Sequence, residues 1–422
     1  MSRASRVISL TVLILGHLGC GSESDSDGGA GGVAPIGTGG AGTGGDTGSS
    51  TGGTGVGGTG VGGTGTGGAG TGGDGVGGQG TGGAGTGGTG VGGAGTGGAE
   101  TGGTGTGGDA GTGGDGTGGE GTGGTNELCG TGPFPAPSLP GSATPVWSGT
   151  GSGLFEGPVW IDAQGALYFS DMSWTADPPP SAIHKLTPPS TVDTGFVPNT
   201  GCNGLAVNSA GLIVAACHDN QEIATYDPVS AARTMLIDNY QGNSFNSPND
   251  LTIRSDGTIY FTDPDWQLGG RTSETGMTGA YYVVPGGAAQ LVDGTLDNPN
   301  GIALSPDETV LYLGDYNNGG SNGRVGAYPV NPDGSTGARS EFASGLSGPD
   351  GMGVDCAGNL YVAENGAGVV RVYAPDGSQL GSISVAAETT NIAFGGSDRQ
   401  TLYVTAGKNL YSAQMNLPGY PY

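Results

Sequence analysis

One phrase of sequence recurs six times between residue 156 and the C-terminus. Each copy opens with a polar, oxygen-bearing residue, which is followed by a short apolar stretch and a tight turn. A second apolar stretch comes next, and it usually ends near Asp, Glu or His. The first residues of successive copies are 47, 46, 51, 50 and 41 positions apart. A repeat of this period built from short β-segments is typical of propeller blades. The sequence therefore predicts an all-β fold, a six-bladed β-propeller.

The leading residues of the copies should form a ring around one mouth of the central channel, because each copy starts at the equivalent point of its blade. They are Glu156, Asn203, Asn249, Asn300, Asp350 and Asn391. Carboxylate and amide oxygens are the ligands that Ca²⁺ and similar divalent cations take. A cation with open coordination positions could polarise a substrate carbonyl while a nearby carboxylate deprotonates the attacking water.

Turn formation is the alternative use for these residues. Asn249, Asn300 and Asp350 all follow a proline, and such dipeptides are ordinary turn signatures. Glu156 is a poor turn former, and beside Phe155 its carboxylate would be costly to bury unless it met a cation. Glu156 therefore favours the interpretation as a cation site.

Residues 1–20 have the features of a secretory signal, with two arginines ahead of an apolar run and a small residue at its end. The segment closes with HLGC and resembles a bacterial lipobox, although His17 replaces the usual leucine. We therefore expect an exported protein anchored by a lipid on Cys20 to the cell envelope, at the outer membrane or the cell surface. A freely secreted protein is the alternative.

Residues 21–125 consist almost entirely of Gly, Thr, Ala and Val, with nine acidic residues and no basic ones. Such a composition cannot bury enough apolar surface to offset its ordering entropy. It predicts a disordered, Gly-rich tether rather than a β-helix, which would need large apolar residues at alternating positions.

Residues 126–422 remain for the propeller, and this segment is long enough to form one large core. This part carries nine Lys and Arg against 28 Asp and Glu, a net charge of −19. The charge argues against a nucleic-acid partner or an anionic membrane surface. We expect a monomer that meets the membrane only through its lipid anchor.

The cysteines and the later segments add two expectations. Cys129, Cys202, Cys217 and Cys356 allow three disulfide pairings, and a hairpin turning at residues 209–210 would place Cys202 opposite Cys217; free thiols are the alternative. Residues 325–330 and 369–373 are predicted third strands of their blades. The last blade has room for only three strands before the C-terminus, so residues 144–147 are predicted to supply its fourth.

Five motifs resemble one known family. They are EGPVW from Glu156, SPNDL from Ser247, NGIA from Asn300, PDGM from Pro349 and NIAFGG from Asn391. Together they are similar to the signatures of the SMP-30/gluconolactonase/luciferin-regenerating-enzyme family, over residues 148–415. The resemblance implies a six-bladed propeller with one divalent cation on its axis, commonly Ca²⁺ but also Zn²⁺, Mn²⁺ or Mg²⁺, and hydrolysis of a small-molecule sugar lactone.

The resemblance also implies roles for single residues. Glu156, Asn300 and Asp350 match the metal ligands, and Asp350 also matches the proposed catalytic base. Asn249 matches the asparagine that faces metal and substrate, and Asp250 is its neighbour. Asn203 and His218 are further candidates for contact with the substrate.

One departure from the family leaves the substrate open. His218 begins a stretch where close gluconolactonase-like relatives often have Glu-His-Gly followed by arginines, whereas Gln221 and Glu222 follow here. A non-catalytic binding module with a structural cation is therefore the alternative function. Other catalytic schemes lack support, since the sequence has no His-rich metal motif.

Overall fold

The computed structural model describes residues 129–317 and 322–420. Twenty-four of the strands in these residues form six four-stranded antiparallel sheets, and two more form a short hairpin. The prediction of a six-bladed propeller is confirmed. The predicted signal segment, the lipidation of Cys20 and the Gly-rich tether lie outside the described residues.

Each blade runs outward from an inner strand at the channel. The first strand of the described residues, β1 (Thr144–Ser148), belongs to the last blade. Blade 1 consists of β2 (Gly153–Ile161), β3 (Ala166–Ser173), β4 (Ser181–Thr187) and β5 (Thr191–Val197), with a 3₁₀ turn, Asp162–Gln164, between β2 and β3. Blade 2 consists of β6 (Cys202–Val207), β7 (Ile213–Cys217), β8 (Glu222–Tyr226) and β9 (Arg233–Ile237). A small hairpin, β10 (Asn239–Tyr240) and β11 (Asn243–Ser244), leads to the next blade.

The other four blades repeat this arrangement. Blade 3 consists of β12 (Leu251–Ile253), β13 (Ile259–Asp263), β14 (Gly279–Val283) and β15 (Gln290–Asp293). Blade 4 consists of β16 (Pro299–Leu304), β17 (Val310–Asp315), β18 (Gly323–Pro329) and β19 (Ser340–Leu346). Blade 5 consists of β20 (Pro349–Val354), β21 (Leu360–Glu364), β22 (Val369–Tyr373) and β23 (Gln379–Ser384). Blade 6 contains β24 (Thr389–Gly395), β25 (Thr401–Ala406) and β26 (Asn409–Gln414).

The ring closes as predicted, because β1 pairs antiparallel with β26 and completes blade 6. β1 thereby covers the outer edge of β26, which would otherwise stay unpaired. The predicted third strands are also confirmed, as β18 and β22. Among the described residues, no helix is long and apolar enough to cross a membrane.

The core lies between neighbouring blades rather than within one. Leu205 of β6 packs with Val159 of blade 1, whereas Ala206, on the opposite face of β6, packs with Leu251 of blade 3. The inner strands are therefore apolar on both faces, as in other sheets that are covered on both sides. This packing fixes the rotation of each inner strand and thus the direction of the side chains at its start.

Both pairs of cysteines form disulfides. Cys202 and Cys217 are opposite residues of β6 and β7, as the predicted hairpin requires. The second disulfide joins Cys129 to Cys356, which lies in the turn after β20. It holds the segment that precedes β1 against blade 5.

The seam between blades 1 and 6 depends on Asp171 near the end of β3. Its carboxylate accepts a hydrogen bond from His184 Nε2 at 3.1 Å and pairs with Lys408 of the turn between β25 and β26. His184 is in the Nε2–H tautomer, because its Nδ1 accepts a hydrogen bond from the Gly195 amide at 3.0 Å. Burial tends to raise the pKa of Asp171, but the hydrogen bonds from His184 and Lys408 and the charge of Lys408 outweigh it, and the pKa is lowered.

We expect Asp171→Asn to lower the free energy of unfolding by about 1–3 kcal/mol near pH 7, since hydrogen bonds to charged groups contribute on this scale. A lowered pKa stabilises the fold above the unfolded value of about 4, and this contribution is lost as the pH falls through the folded value. The deficit should therefore shrink in acid, measured by urea unfolding at several pH values. Asp193→Asn, an exposed position on β5 of the same blade, is the control. An equal deficit at all pH values would contradict the assignment.

Candidate active site at the mouth of the channel

The inner strands all start at one mouth of the channel, so their first residues surround it. Five of the predicted ring members lie there at the equivalent position of their blades and are at most 5% exposed: Glu156, Asn203, Asn249, Asn300 and Asp350. The backbone carbonyl of Asn203 accepts a bond from Ser170 of blade 1. That of Asn249 accepts one from the Gly204 amide of blade 2 at 2.7 Å.

Glycine after the leading residue lets neighbouring inner strands touch. A Cβ on Gly204 would lie 2.7 Å from the backbone oxygen of Asn249, and one on Gly301 only 2.0 Å from that of Asp350. Contacts this short do not occur between real atoms, so any side chain at these positions would push the blades apart. The missing side chains thus bring the leading residues of adjacent blades together.

Asn391 is one residue out of step with the ring, so its predicted position is corrected. Its amide donates to Thr405 Oγ1 at 3.0 Å, as the amide of Asp250 donates to Thr262 Oγ1 at 3.1 Å. Each side-chain oxygen also accepts the next backbone N–H, at 2.8 and 2.9 Å. Asn391 therefore occupies the position of Asp250 and of the glycines, and Thr390 is the leading residue of blade 6.

Asp250 and Asn391 consequently meet across the channel. They belong to opposite blades, 3 and 6, and Asn391 Nδ2 donates to Asp250 Oδ2 at 3.4 Å. The other blades have glycine at this level, which leaves room for the two side chains; a Cβ on Gly351 would lie 1.9 Å from Asn391 Cγ. The pair forms the floor of the ring.

Three carboxylates converge in this small space. Burial, and then the charges of Asp350 and Asp250, raise the pKa of Glu156 well above its ordinary value. Burial, and then the charge of Asp250, do the same to the pKa of Asp350. Burial raises the pKa of Asp250 to about 7. Raised pKa values of this kind are expected where the fold buries several carboxylates close together.

Amide groups surround these carboxylates. Asn300 and Asn365 both hydrogen-bond to Asp350, and the Asn365 Nδ2 to Asp350 Oδ2 distance is 3.5 Å. Asn391 hydrogen-bonds to Glu156 as well as to Asp250. Among the predicted residues, the structure thus brings Glu156, Asn300, Asp350 and Asp250 into one cluster.

A second set of buried acids holds the segments that precede the ring. They stand at the ends of the second strands and accept backbone N–H bonds. Asp263 accepts from Asn246 and Ser247, both at 2.8 Å. Asp315 accepts from Asn298 at 2.9 Å, and Glu364 from Ser347 at 3.0 Å. These bonds fix the chain just before Asn249, Asn300 and Asp350.

His218, the predicted substrate contact of blade 2, is fully buried. Its Nε2 lies 2.8 Å from the Pro179 carbonyl oxygen, and burial lowers the pKa of the imidazole. Nδ1 has no hydrogen-bond partner among the described residues. Arg271 braces the loop by donating to the carbonyl oxygens of His218 and Asp219. A role for His218 toward a substrate stays a prediction.

Aromatic side chains line another side of the mouth. Trp266, in the loop after β13, meets Tyr316, directly after β17, edge to face with ring centroids 5.5 Å apart. The charges of Asp350 and Glu156 help burial raise the pKa of Tyr316 to about 12, which places its ring near the carboxylates. Sequence reasoning missed Tyr316 and Asn365; their signal is that each directly follows a strand that ends in Asp or Glu.

Basic side chains in the described residues are all engaged elsewhere. Arg271 bonds to backbone carbonyls, and Lys185 lies over the rings of Tyr168 and Phe196. The other seven form salt bridges: Arg233, Arg254, Arg324, Arg339, Arg371, Arg399 and Lys408. The carboxylate cluster therefore has no basic partner among the described residues.

A divalent cation fits this chemistry. No three His, Cys, Asp or Glu side chains of the described residues are grouped so that they alone could hold a metal ion, so a site here has to use amide oxygens as well. Glu156, Asp350 and Asn300 offer such a mixed set of hard oxygens, which suits Ca²⁺ better than Zn²⁺, whose usual ligands are nitrogen and sulfur. A cation would also offset the mutual repulsion of the buried carboxylates.

Fold and site together define a six-bladed propeller with an acidic, amide-lined mouth. The chain belongs to the family described as SMP-30/gluconolactonase/LRE-like, whose model matches residues 154–408. The match includes every inner strand and the complete cluster.

Two curated relatives and one solved structure illustrate the similarity. A gluconolactonase from Zymomonas mobilis is 34% identical over 60% of this chain and 76% of its own length. A 6-deoxy-6-sulfogluconolactonase from Pseudomonas putida is 31% identical over 62% of this chain and 86% of its own length. The structure of a gluconolactonase from Xanthomonas campestris is 29% identical, with a TM-score of 0.57 over 65% of this chain and 89% of that one.

We expect Gly301→Ala to destabilise the propeller by about 1–3 kcal/mol or more, since its Cβ would lie 2.0 Å from the Asp350 backbone oxygen and overpacking costs this much. Urea unfolding provides the measurement. Gly353→Ala on β20 is the matched control, because its Cβ would make only ordinary contacts, 3.4 Å or more, with Ile392. Equal stability of the two variants would refute the close approach of blades 4 and 5.

Proposed function

We propose that this protein hydrolyses a lactone, or a similar cyclic ester, and that it needs a divalent cation, Ca²⁺ in the first place. The observation that carries the proposal is the convergence of Glu156, Asp250 and Asp350 at the channel mouth with amides around them and no basic partner among the described residues. The relatives named as lactonases support the reaction class.

Glu156, Asn300 and Asp350 are the residues that would hold the cation. When bound, the cation supplies Lewis-acid polarisation of the ester carbonyl. Asn249, Asn203, Asp250 and His218 are proposed to contact the substrate around this point.

Asp350 is proposed as the general base. It takes a proton from water as the water oxygen bonds to the acyl carbon, and it returns the proton to the ring oxygen when the acyl–oxygen bond breaks. The product is an open hydroxy acid. The acid then loses its proton to solvent, and its carboxylate lies beside Glu156 and Asp250, whose charges favour its release.

Asp350→Asn keeps a neutral oxygen ligand but removes the base. We expect a fall in kcat of about 10²- to 10⁴-fold that added Ca²⁺ does not restore, since general base catalysis contributes on this scale. Glu156→Gln is expected to weaken cation affinity first, so added Ca²⁺ should recover part of its activity. Lactone hydrolysis is followed by acid release over a calcium titration, after treatment with chelator.

Asp193→Asn serves as the control for this pair, because that carboxylate is exposed on an outer strand. Unchanged hydrolysis by Asp350→Asn at saturating Ca²⁺ would rule out the role given to Asp350. Full activity of the unmodified protein after removal of metal would rule out the cation. Absence of hydrolysis across a panel of lactones would favour the alternative, a binding module with a structural cation.

We propose further that the substrate is a neutral lactone. The cluster has three carboxylates, of which one divalent cation can offset at most two charges, and the basic side chains of the described residues are engaged elsewhere. An anionic substrate would therefore meet repulsion at the mouth. The neutral edge of Trp266 and Tyr316 instead suits the C–H faces of a lactone ring.

A comparison of gluconolactone with a sulfonated or carboxylated lactone tests this preference. We expect kcat/KM to be at least about tenfold higher for the neutral substrate, which corresponds to about 1.4 kcal/mol. The preference should shrink at high ionic strength, because salt screens the repulsion. An equal or higher kcat/KM for the anionic lactone at low salt would overturn the proposal.

We also propose export to the cell envelope with a lipid on Cys20. The two disulfides support an oxidising compartment, since such bonds are rare in the cytosol.

A further inference from the structure

Two residues follow second strands directly at the mouth. Tyr316 comes after β17 and Asn365 after β21. The last residue of each of these strands pairs with the proline that precedes Asn300 or Asp350 on the inner strand beside it. The strand pairing in blades 4 and 5 therefore places Tyr316 and Asn365 beside the carboxylate cluster.

Hydrogen bonds join the pair to Asp350. The Tyr316 hydroxyl donates to Asn365 Oδ1 at 3.3 Å, and Asn365 Nδ2 points to Asp350 Oδ2 at 3.5 Å. An amide has one oxygen acceptor and one NH₂ donor group, so a donor at its oxygen decides which way the NH₂ faces. The Tyr316 hydroxyl thereby keeps the NH₂ group of Asn365 turned toward the carboxylate.

The ring of Tyr316 is held in place on two sides. Trp266 packs edge-on against it. On the other side lies Gly348, where a Cβ would come within 2.8 Å of the ring. Gly348 is two residues before Asp350, so the ring rests on the backbone that carries the proposed base.

We infer that Tyr316 is a positioning residue that acts through Asn365 to hold one oxygen of Asp350 and thereby fixes the orientation of the carboxylate that serves as the proposed base. The inference rests on the proposed function of Asp350. A carboxylate rotates about its terminal bond with little hindrance, and a fixed donor at one oxygen removes that freedom. Outer hydrogen-bond partners of this kind typically contribute about 10- to 100-fold to activity or affinity.

The test uses Tyr316→Phe, which keeps the ring and deletes only the hydroxyl. We expect kcat for gluconolactone to fall about tenfold while KM stays within about twofold. The variant keeps the aromatic ring at the mouth, but it lacks the hydroxyl that orients the Asn365 amide. Asn365→Ala should give a similar loss. The double variant should lose no more than either single one, since the two residues act as one unit.

Tyr361→Phe is the matched control, because this buried tyrosine donates to Asp355 at 3.0 Å in the turn after β20, at the far end of blade 5. It should cost stability and leave kcat unchanged. An equal fall in kcat in Tyr361→Phe, or a rise in KM at constant kcat in Tyr316→Phe, would overturn the inference. A rise in KM alone would mean that Tyr316 only contacts the substrate and does not orient Asp350.

A crystal structure of Tyr316→Phe gives a readout that does not need activity. We expect the Asn365 amide to turn away from Asp350 Oδ2. An amide that keeps its orientation without the hydroxyl overturns the inference even if the unmodified protein hydrolyses no lactone. Failure of the proposed function is recognised separately, by the inactivity of the unmodified protein.

Discussion

The close approach of neighbouring inner strands is the constraint on which the site depends. Gly204 and Gly301 allow one blade's backbone to touch the next, and Gly351 leaves space for the side chain of Asn391. Because the blades close into a ring, no blade can move outward alone to relieve repulsion at the axis. The apolar contacts between blades thus hold Glu156 and Asp350 together at a cost that a cation would offset.

Four of the buried acids in this propeller form two groups with different surroundings. Asp315 and Glu364 each accept a backbone N–H and pair with an arginine of the third strand, so their charges are met within the blade. Glu156 and Asp350 accept hydrogen bonds but have no basic partner among the described residues, and the pKa of each is raised. The first group is structural; the second is where function is sought. In blade 2 the position of Asp315 is taken by Cys217, whose disulfide to Cys202 joins the same two strands.

Sequence reasoning predicted the fold well because repeat period, hairpin symmetry and strand number are local properties. The Cys202–Cys217 pair followed from one turn, and the closure by residues 144–147 from a missing strand. It misplaced Asn391 by one position. In the other copies one residue separates the leading residue from the apolar run, whereas Ile392 follows Asn391 directly. The missing residue between Asn391 and the apolar run was the sequence signal for this shift.

Side-chain contacts between blades could not be predicted from the sequence, because the repeat does not show that Tyr316 of blade 4 contacts Asn365 of blade 5. These residues form an outer ring at the mouth, just past the last ladder pair of their strands, where His218 also lies. A side chain there can change without altering the backbone contacts that position Glu156 and Asp350. In a propeller of this design, packing therefore constrains the inner ring, while side chains of the outer ring can vary; the proposed orientation of Asp350 and the proposed choice of substrate would be set there.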